Sequence, residues 1–204
     1  MKRQSSEKTP EELLNQCWTL IKHGIQSRRS NYHSMSVHYI TSTNTPRSVI
    51  MIPRSFDEKE HTLRTHTDFR SPKVQHLKSN PNVSLLFWCR EQKTQMILTG
   101  KATIAHTNHL TKATWDTMQN MSKVCYCADI APGTQTMSSS NGFSTEQWQN
   151  RKDIVDTEFA YNNFAMVCVK IASVERLDLS ASGHQKIIFR TTEHKDWTHE
   201  WISP

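Results

Sequence analysis

The chain has 204 residues, which is enough for one sizeable domain with its own apolar core. Only 35% of the residues are apolar, the mean hydropathy is −0.67, and no apolar run is long enough to cross a membrane as a helix. The polar start MKRQSSEKTP has none of the features of a signal peptide, so we expect a soluble, cytoplasmic protein.

Charge and cysteine content narrow the range of partners. Lys and Arg total 25 against 19 acidic residues, which gives a formal net charge of +6 and a pI of about 9.1. This charge suits nucleic acid or a small anionic ligand, but the basic residues are spread out and form no run longer than SRRS. The five cysteines are odd in number and scattered, which favours reduced thiols, and the spacing of CYC does not fit a zinc site.

The first elements in chain order are one helix and three strands. Residues 1–8 are predicted to be disordered, and residues 9–204 to form a single domain. The helix TPEELLNQCWTLIKHGIQ has Thr9 as its cap, Pro10 at its first position and Glu12 three residues after the cap. Strand patterns follow in SMSVHYITS, RSVIMIP and HTLRTHTD, and the last two are separated by a turn at SFDEKE.

The second half of the chain adds further strands with few helices. A short helix begins at Ser71 and Pro72 and ends at SNPN; the strands VSLLFWC and TQMILTGKATIAHT then form a hairpin through REQK. The helix HLTKATWDTMQNM, the loop APGTQTMSSSNGF and a helix capped by Ser144 or Thr145 precede two closing strands, NFAMVCVKIASVERLDLS and HQKIIFRTT, joined through residues 182–183. Successive antiparallel strands predict a closed or nearly closed barrel, because barrels remove exposed edges.

Arg70, Ser71 and Lys73 crowd the junction between the third strand and the second helix. A helix N-terminus exposes unpaired N–H groups with positive partial charge, so this junction predicts a phosphate site. Arg47 opens RSVIMIP and would reach the same place if that strand pairs with HTLRTHTD. Neither a Walker loop nor GxGxxG is present. The alternative is that these basic residues are simply solvated at an ordinary helix start.

Three motifs in this region carry a family resemblance. PRSVIMI, HTDFRSPKVQHLKSNPNVSLLFW and TQMILTGKA, between about residues 39 and 105, resemble the pyridoxamine 5′-phosphate oxidase family of FMN-binding split barrels. RLDLSASGHQKIIF and the terminal WISP are similar to its oxidase-related branch. The resemblance implies a mainly β fold with flanking helices (α+β), a six- or seven-stranded antiparallel split β-barrel, and a homodimer with two FMN molecules in the clefts between subunits.

The resemblance also implies which residues contact FMN. Arg47, Ser71 and Lys73 would bind the phosphate, and Arg70 would assist them. The backbone from Val49 to Ile52 would run along the isoalloxazine, His66 and Thr67 would contact the cofactor, and Gln95 would reach the ring. The full set of implied cofactor-binding residues is Arg47, Val49, Ile50, Ile52, His66, Thr67, Arg70, Ser71, Lys73 and Gln95.

The chain departs from the founding oxidases where those bind the vitamin substrate. Ile52 stands where they have Lys, and Pro72 stands where their phosphate loop has Arg. Their substrate-binding Tyr, Arg and Ser are not found in YCADIAPGTQTMSSS, and their C-terminal Arg-x-His is not found near GHQKIIF. We therefore expect an FMN-dependent oxidoreductase whose substrate and catalytic residues are unassigned, with residues 129–144 shaping the substrate pocket. The alternatives are a non-catalytic protein that binds or stores FMN or another phosphorylated ligand and, on charge alone, a nucleic-acid-binding barrel.

Overall fold

The structure is a computed structural model that describes residues 8–152, 154, 156–181, 183–192 and 196–204. The predicted disordered N-terminus therefore lies outside the described residues except for Lys8. Five α-helices are described: α1 (Pro10–Gln26), α2 (Pro72–Ser79), α3 (His109–Thr117), α4 (Asn120–Lys123) and α5 (Thr145–Gln149). None of the helices in these ranges is both long and apolar enough to cross a membrane.

Nine strands form one antiparallel sheet. They are β1 (Met35–Ile40), β2 (Pro46–Met51), β3 (Pro53–Asp57), β4 (Thr62–Asp68), β5 (Asn82–Cys89), β6 (Thr94–His106), β7 (Phe164–Ser180), β8 (Gly183–Thr191) and β9 (Trp197–Ile202). Seven strands pair in the order β2-β1-β5-β6-β7-β4-β3. Outside this order, β8 pairs with β7, and β9 pairs with β8. The mainly β, antiparallel fold with flanking helices is confirmed, with nine strands in the described residues rather than six or seven.

The two ends of the seven-strand path are consecutive in the chain. β2 pairs with β1, β3 pairs with β4, and only Ile52 separates β2 from β3. The Thr65 hydroxyl donates to the Ile52 carbonyl at 2.7 Å, which ties this bend to β4. The sheet is thus joined across its ends by the chain, while its hydrogen-bond ladder does not close.

One sequence prediction is confirmed at this bend and two do not hold. RSVIMIP is bounded by prolines as predicted, since β2 runs from Pro46 to Met51, but β3 continues through Asp57 and takes up half of the predicted turn SFDEKE. The pairing of the RSVIMI strand with HTLRTHTD, on which the sequence argument for Arg47 depends, does not occur, because β3 takes that place. Proline lacks an N–H donor, which fits the irregular register between Pro53 and Ser55 and lets one run change partners.

The helix caps were predicted more closely. Thr9 and Glu12 form the expected capping box at the start of α1, with the Glu12 N–H donating to the Thr9 hydroxyl at 3.2 Å. Ser144 caps α5 in the same way, although α5 has only five residues. The helix predicted over HLTKATWDTMQNM is interrupted after Thr117, since Met118 adopts an extended conformation.

The apolar core has two parts. The larger part lies between α1 and the inner face of the sheet and includes Trp18, Ile21, Leu85, Leu98 and Val174. The smaller part surrounds Trp115, under α3, with Tyr126, Phe164 and Met166. The junction between β4 and α2 lies beside the larger core, through Leu63 and Leu77.

Candidate functional site

Lys73, Thr67 and Ser71 form a hydrogen-bonded cluster at the junction of β4 and α2, called here the Lys73 cluster. The Lys73 ammonium donates to the Thr67 hydroxyl at 3.0 Å and to the Ser71 hydroxyl at 2.9 Å. Thr67 and Ser71 are each 5% exposed. An ammonium group has three N–H donors, so one donor beyond these two bonds is free for a ligand.

Local sequence explains why these three side chains converge. Alternation along β4 turns Leu63, Thr65 and Thr67 to the buried face. Pro72 occupies the first position of α2, so Ser71 is held in an extended conformation at its N-cap. The Ser71 hydroxyl makes no capping bond to the helix backbone, which leaves it to accept from Lys73.

Burial perturbs the charge of the cluster. Desolvation lowers the pKa of Lys73, and the carboxylate of Asp68 opposes this effect. A buried ammonium that is paired only with two neutral hydroxyls favours the approach of an anion. The positive end of α2 acts in the same direction. These features fit a phosphate group.

Arg70 points away from the Lys73 cluster. Its guanidinium donates to both carboxylate oxygens of Asp68, from Nε at 3.1 Å and from Nη2 at 2.8 Å, and Nη1 donates to the Ala128 carbonyl at 2.8 Å. Asp68 accordingly raises the pKa of Arg70. Arg70 thus joins the end of β4 to the segment that follows the 3₁₀ turn Val124–Tyr126. Its predicted contact with FMN stays a prediction.

Arg47 lies on β2, an edge strand of the sheet. It is the register partner of Tyr39, whose ring stacks on His76 of α2 with centroids 6.1 Å apart. Cross-strand partners point to the same face, so Arg47 lies on the face against which α2 packs. Its side chain is exposed and makes no hydrogen bond or ion pair within the described residues, so it is free to bind an anion.

The other β2 positions divide between the two faces. Val49 pairs with Val37 on the face of Arg47 and is half-buried. Ile50 points to the opposite, outer face and is 70% exposed. Ile52 lies at the bend, where its carbonyl is taken by Thr65. The second edge of β2 has no strand partner in the described structure, so its N–H and C=O groups are open to a ligand or a second chain.

His66 and Thr67 do not share a site on this chain. His66 faces the side of β4 opposite Thr67 and packs edge-on against Phe164, with ring centroids 5.0 Å apart. It lines a cavity of about 360 Å³ together with Arg54 and residues of α3. Burial, assisted by the charge of Arg54, lowers the pKa of His66 to about 4, so the imidazole is neutral at physiological pH.

Gln95 also lies apart from the Lys73 cluster. It is on β6, between Trp88 of β5 and Leu177 of β7. These three side chains share the outer face of the sheet, whereas Thr67 points inward. Gln95 therefore does not face the Lys73 cluster, and its predicted contact with the flavin ring stays a prediction.

Sequence reasoning missed the contact between α2 and the loop of residues 129–144. A Cβ atom at Gly133 would lie 2.8 Å from Cγ of Pro72, and Gly133 has a positive φ of 86° that favours glycine. Together with the bond from Arg70 to Ala128, this contact packs the loop onto the start of α2. Pro-Gly in the loop signalled a turn, but not which element the turn would meet.

The central region of the chain matches a known family model. Residues 15–106 match the family model described as pyridoxamine 5′-phosphate oxidase, FMN-binding domain. This range contains β1–β6 and α2, and so includes the Lys73 cluster. The resemblance drawn from the sequence is confirmed, and FMN is the cofactor of the matched family.

Two relatives are similar to the same part of the chain. The pyridoxine/pyridoxamine 5′-phosphate oxidase of Enterobacter sp. (strain 638) is 29% identical over 102 residues, which are 50% of this chain and 44% of that protein. The enzyme of the same name from Microcystis aeruginosa (strain NIES-843 / IAM M-2473) is 29% identical over 80 residues, 39% of this chain and 36% of that protein. The chain thus spans less than half the length of these curated relatives.

Two solved structures share the fold over almost the whole chain. A pyridoxamine 5′-phosphate oxidase-related, FMN binding protein from Nostoc punctiforme PCC 73102 has a TM-score of 0.74 at 17% identity, covering 97% of this chain and 100% of that chain. PhzG from Burkholderia lata 383, solved in complex with tetrahydrophenazine-1-carboxylic acid, has a TM-score of 0.69 at 15% identity, covering 98% and 95%.

Proposed function

We propose that this protein is an FMN-dependent oxidoreductase of the oxidase-related type. Its residues 15–106 match the FMN-binding domain of the pyridoxamine 5′-phosphate oxidase family. The observation that carries the proposal is the ammonium of the half-buried Lys73, held by the hydroxyls of Thr67 and Ser71 at the start of α2. In this proposal the Lys73 cluster holds the FMN phosphate.

The charge balance supports a phosphate at this place. A phosphate monoester carries nearly two negative charges at pH 7, and a charge-assisted hydrogen bond is about twice as strong as a neutral one. Lys73 supplies one half-buried positive charge, and Arg47, which has no ion-pair partner among the described residues, supplies a second from the face on which α2 packs. A phosphate would also offset the desolvation that lowers the pKa of Lys73.

The open edge of β2 supports the placement of the isoalloxazine. The main-chain groups of residues 49–52 that face away from β1 have no strand partner in the described structure. They can orient a planar ring that carries both donors and acceptors. Bound FMN supplies hydride or electron transfer, while the protein's part is to bind, orient and shield it.

We extend the proposal to a homodimer with FMN in the cleft between subunits. Ile50 on the outer face of β2 is 70% exposed, and Trp88 on the same face is 45% exposed. Apolar side chains on an uncovered sheet face are typical of protein interfaces. The cytoplasmic location expected from the sequence stays a prediction.

The phosphate assignment is tested with the double variant Lys73→Ala/Arg47→Ala. Losing two charge-assisted contacts should weaken FMN binding by about 3–5 kcal/mol. The measurement is quenching of flavin fluorescence on titration with the apoprotein. The matched control is Lys78→Ala/Arg90→Ala, which removes two exposed positive charges from the end of α2 and the β5–β6 turn. Equal FMN affinity in the two double variants would refute the assignment.

One observation favours a second candidate function, a flavin-binding protein without turnover. Ile52 is an aliphatic residue at the position where the founding oxidases have a substrate-contacting Lys. We propose to separate the two functions by following the absorbance of the bound flavin. Faster reduction by a donor or faster reoxidation by oxygen than in free FMN supports the oxidoreductase. Tight binding with neither rate changed, across nicotinamide donors and primary amines, supports the binding protein.

A further inference from the structure

A second large cavity lies away from the β4–α2 junction. Its volume is about 720 Å³, and it is enclosed by the start of α1, the β3–β4 connection and the paired strands β8 and β9. Six of its lining side chains define its chemistry, four of them aromatic and two acidic: Trp18, Phe56, Phe189, Trp197, Glu11 and Glu58. None of them belongs to the proposed FMN site, so the proposed function does not account for this cavity.

Three of the aromatic side chains, Trp18, Phe56 and Trp197, form one connected wall. The ring of Trp18 stacks on Phe56 with centroids 5.1 Å apart and meets Trp197 edge-on at 5.5 Å. Trp197 also packs against His61 at 5.2 Å, and its indole N–H donates to His61 Nε2 at 3.3 Å. An indole N–H can only donate, so His61 Nε2 is the acceptor in this bond. The wall therefore offers aromatic rings to a ligand in the cavity.

The acidic residues of the lining carry negative charge, whereas the net charge of the whole chain is positive. The chain carries a net charge of +6, yet the lining residues that the structure describes include two glutamates and two histidines and neither Lys nor Arg. Glu58 pairs with Lys22, just outside the lining, at 3.0 Å. Glu11 makes no hydrogen bond or ion pair within the described residues. With Glu12 in the same first turn, it outweighs the half positive charge of the N-terminus of α1.

We propose that this cavity binds a small organic cation of the alkylated ammonium class. A cation over aromatic faces is attracted by the ring quadrupoles, and the attraction grows as the cation is desolvated. The carboxylate of Glu11 supplies the counter-charge at the rim. An anion would be repelled by the carboxylate of Glu11, and a neutral ligand would make no use of it. The inference does not depend on FMN binding, because no residue is shared with the Lys73 cluster.

The test compares two probes of the same shape that differ in charge. Choline carries a trimethylammonium group, and 3,3-dimethylbutan-1-ol carries a neutral tert-butyl group in its place. Each has nine equivalent methyl protons, so saturation-transfer NMR on the full chain follows both in the same way. The variants are Glu11→Gln, with Glu146→Gln in the first turn of α5 as its control, and Trp197→Leu, with Trp201→Leu on the same strand as its control.

The proposal expects choline to bind saturably, with affinity at least about fivefold above that of the neutral alcohol. Glu11→Gln and Trp197→Leu should each weaken choline binding by about fivefold, while the two controls leave it unchanged. Equal binding of the two probes would overturn the proposal in favour of a neutral apolar ligand. Undetectable choline binding, or equal losses in a variant and its control, would overturn it as well. Choline affinity should be the same with FMN bound and with FMN removed. Failure of this proposal is therefore distinct from failure of the proposed function.

Discussion

Lys73 shows at the scale of one residue how a fold can prepare a site for an anion. The side chain is half-buried, its two hydrogen-bond acceptors are neutral hydroxyls, and its pKa is lowered by desolvation. Such a charge adds little to the stability of the ligand-free protein, because the cost of desolvation offsets the gain from the hydrogen bonds. We therefore infer that Lys73 is placed for binding and not for folding.

Lys73→Met should separate these two roles. Methionine has a similar shape without the charge, so we expect the free energy of unfolding without FMN to change by less than about 1 kcal/mol. The stabilisation by saturating FMN should fall, since one charge-assisted contact contributes about 1.5–3 kcal/mol to binding. Thermal unfolding with and without FMN measures both quantities. Lys78→Met on the exposed end of α2 should leave the FMN-dependent shift intact, and loss of that shift in both variants would contradict the assignment.

His66 is a second residue whose environment has a measurable consequence. Its pKa of about 4 in the folded state lies below the value of about 6.5 for an unperturbed histidine. Between these two values the unfolded chain binds a proton and the folded chain does not. Acid therefore favours unfolding in this range, and the contribution of a neutral His66 to stability is lost as the pH falls from about 6.5 to about 4.

His66→Phe should make the protein less sensitive to acid. Phenylalanine keeps a ring against Phe164 and removes the titration, so the loss of stability between pH 7 and pH 5 should shrink by about 2 kcal/mol. Chemical denaturation at the two pH values measures this difference. The control is His109→Phe at the exposed start of α3. An unchanged pH dependence in His66→Phe would show that the pKa of His66 does not differ between the folded and unfolded protein.

At the scale of elements, Asp68 and Arg70 hold the β4–α2 junction to the segment near Ala128. The Asp68 carboxylate accepts from the Arg70 backbone N–H at 2.8 Å as well as from its guanidinium. Gly133 then packs against Pro72 at the first turn of α2. The geometry of the Lys73 cluster thus depends on a loop about sixty residues further along the chain.

Arg70→Ala should loosen this loop. Removing the guanidinium leaves the buried Asp68 carboxylate without its ion pair, which costs about 2–3 kcal/mol of stability. Proteolysis within residues 129–144 should become faster than in the parent protein. Arg190→Ala is the control, because it breaks a surface ion pair with Glu200 whose partners are more than half exposed and should cost less than about 1 kcal/mol. Equal stability of the two variants would contradict the role of Arg70 in holding the loop.

The sequence predicts local features of these elements better than their partners. Thr9, Pro10 and Glu12 specify the start of α1 because all capping contacts lie within four residues. Alternation along β4 also predicts that His66 and Thr67 point to opposite faces of the sheet, since neighbouring strand residues face opposite sides. The bend at Ile52 and the bond between Arg70 and Ala128 could not be read in this way, because each depends on contacts between segments far apart in the chain.

At the scale of the whole molecule, an apolar band crosses the outer face of the sheet. Ile50, Leu86, Ile97 and Ile188 lie on one row of register partners that also contains Ser36, between Ile50 and Leu86, and Glu175, between Ile97 and Ile188; Trp88 lies on the neighbouring row. This band begins at β2, the strand whose open edge is proposed to line FMN. A second subunit packed here would cover both the apolar band and the cofactor, which links dimer formation to FMN binding.

Ile50→Glu should therefore weaken the dimer and FMN binding together. A carboxylate forced into an apolar interface without a partner costs several kcal/mol, so we expect the mass of the FMN-loaded protein to shift from dimer towards monomer at micromolar concentration. Sedimentation equilibrium measures the mass, and quenching of flavin fluorescence measures FMN affinity on the same samples. Met137→Glu is the control, since Met137 is fully exposed on the loop of residues 129–144. A dimeric Ile50→Glu protein would place the interface elsewhere, and a monomeric Ile50→Glu protein that binds FMN normally would show that one chain completes the site.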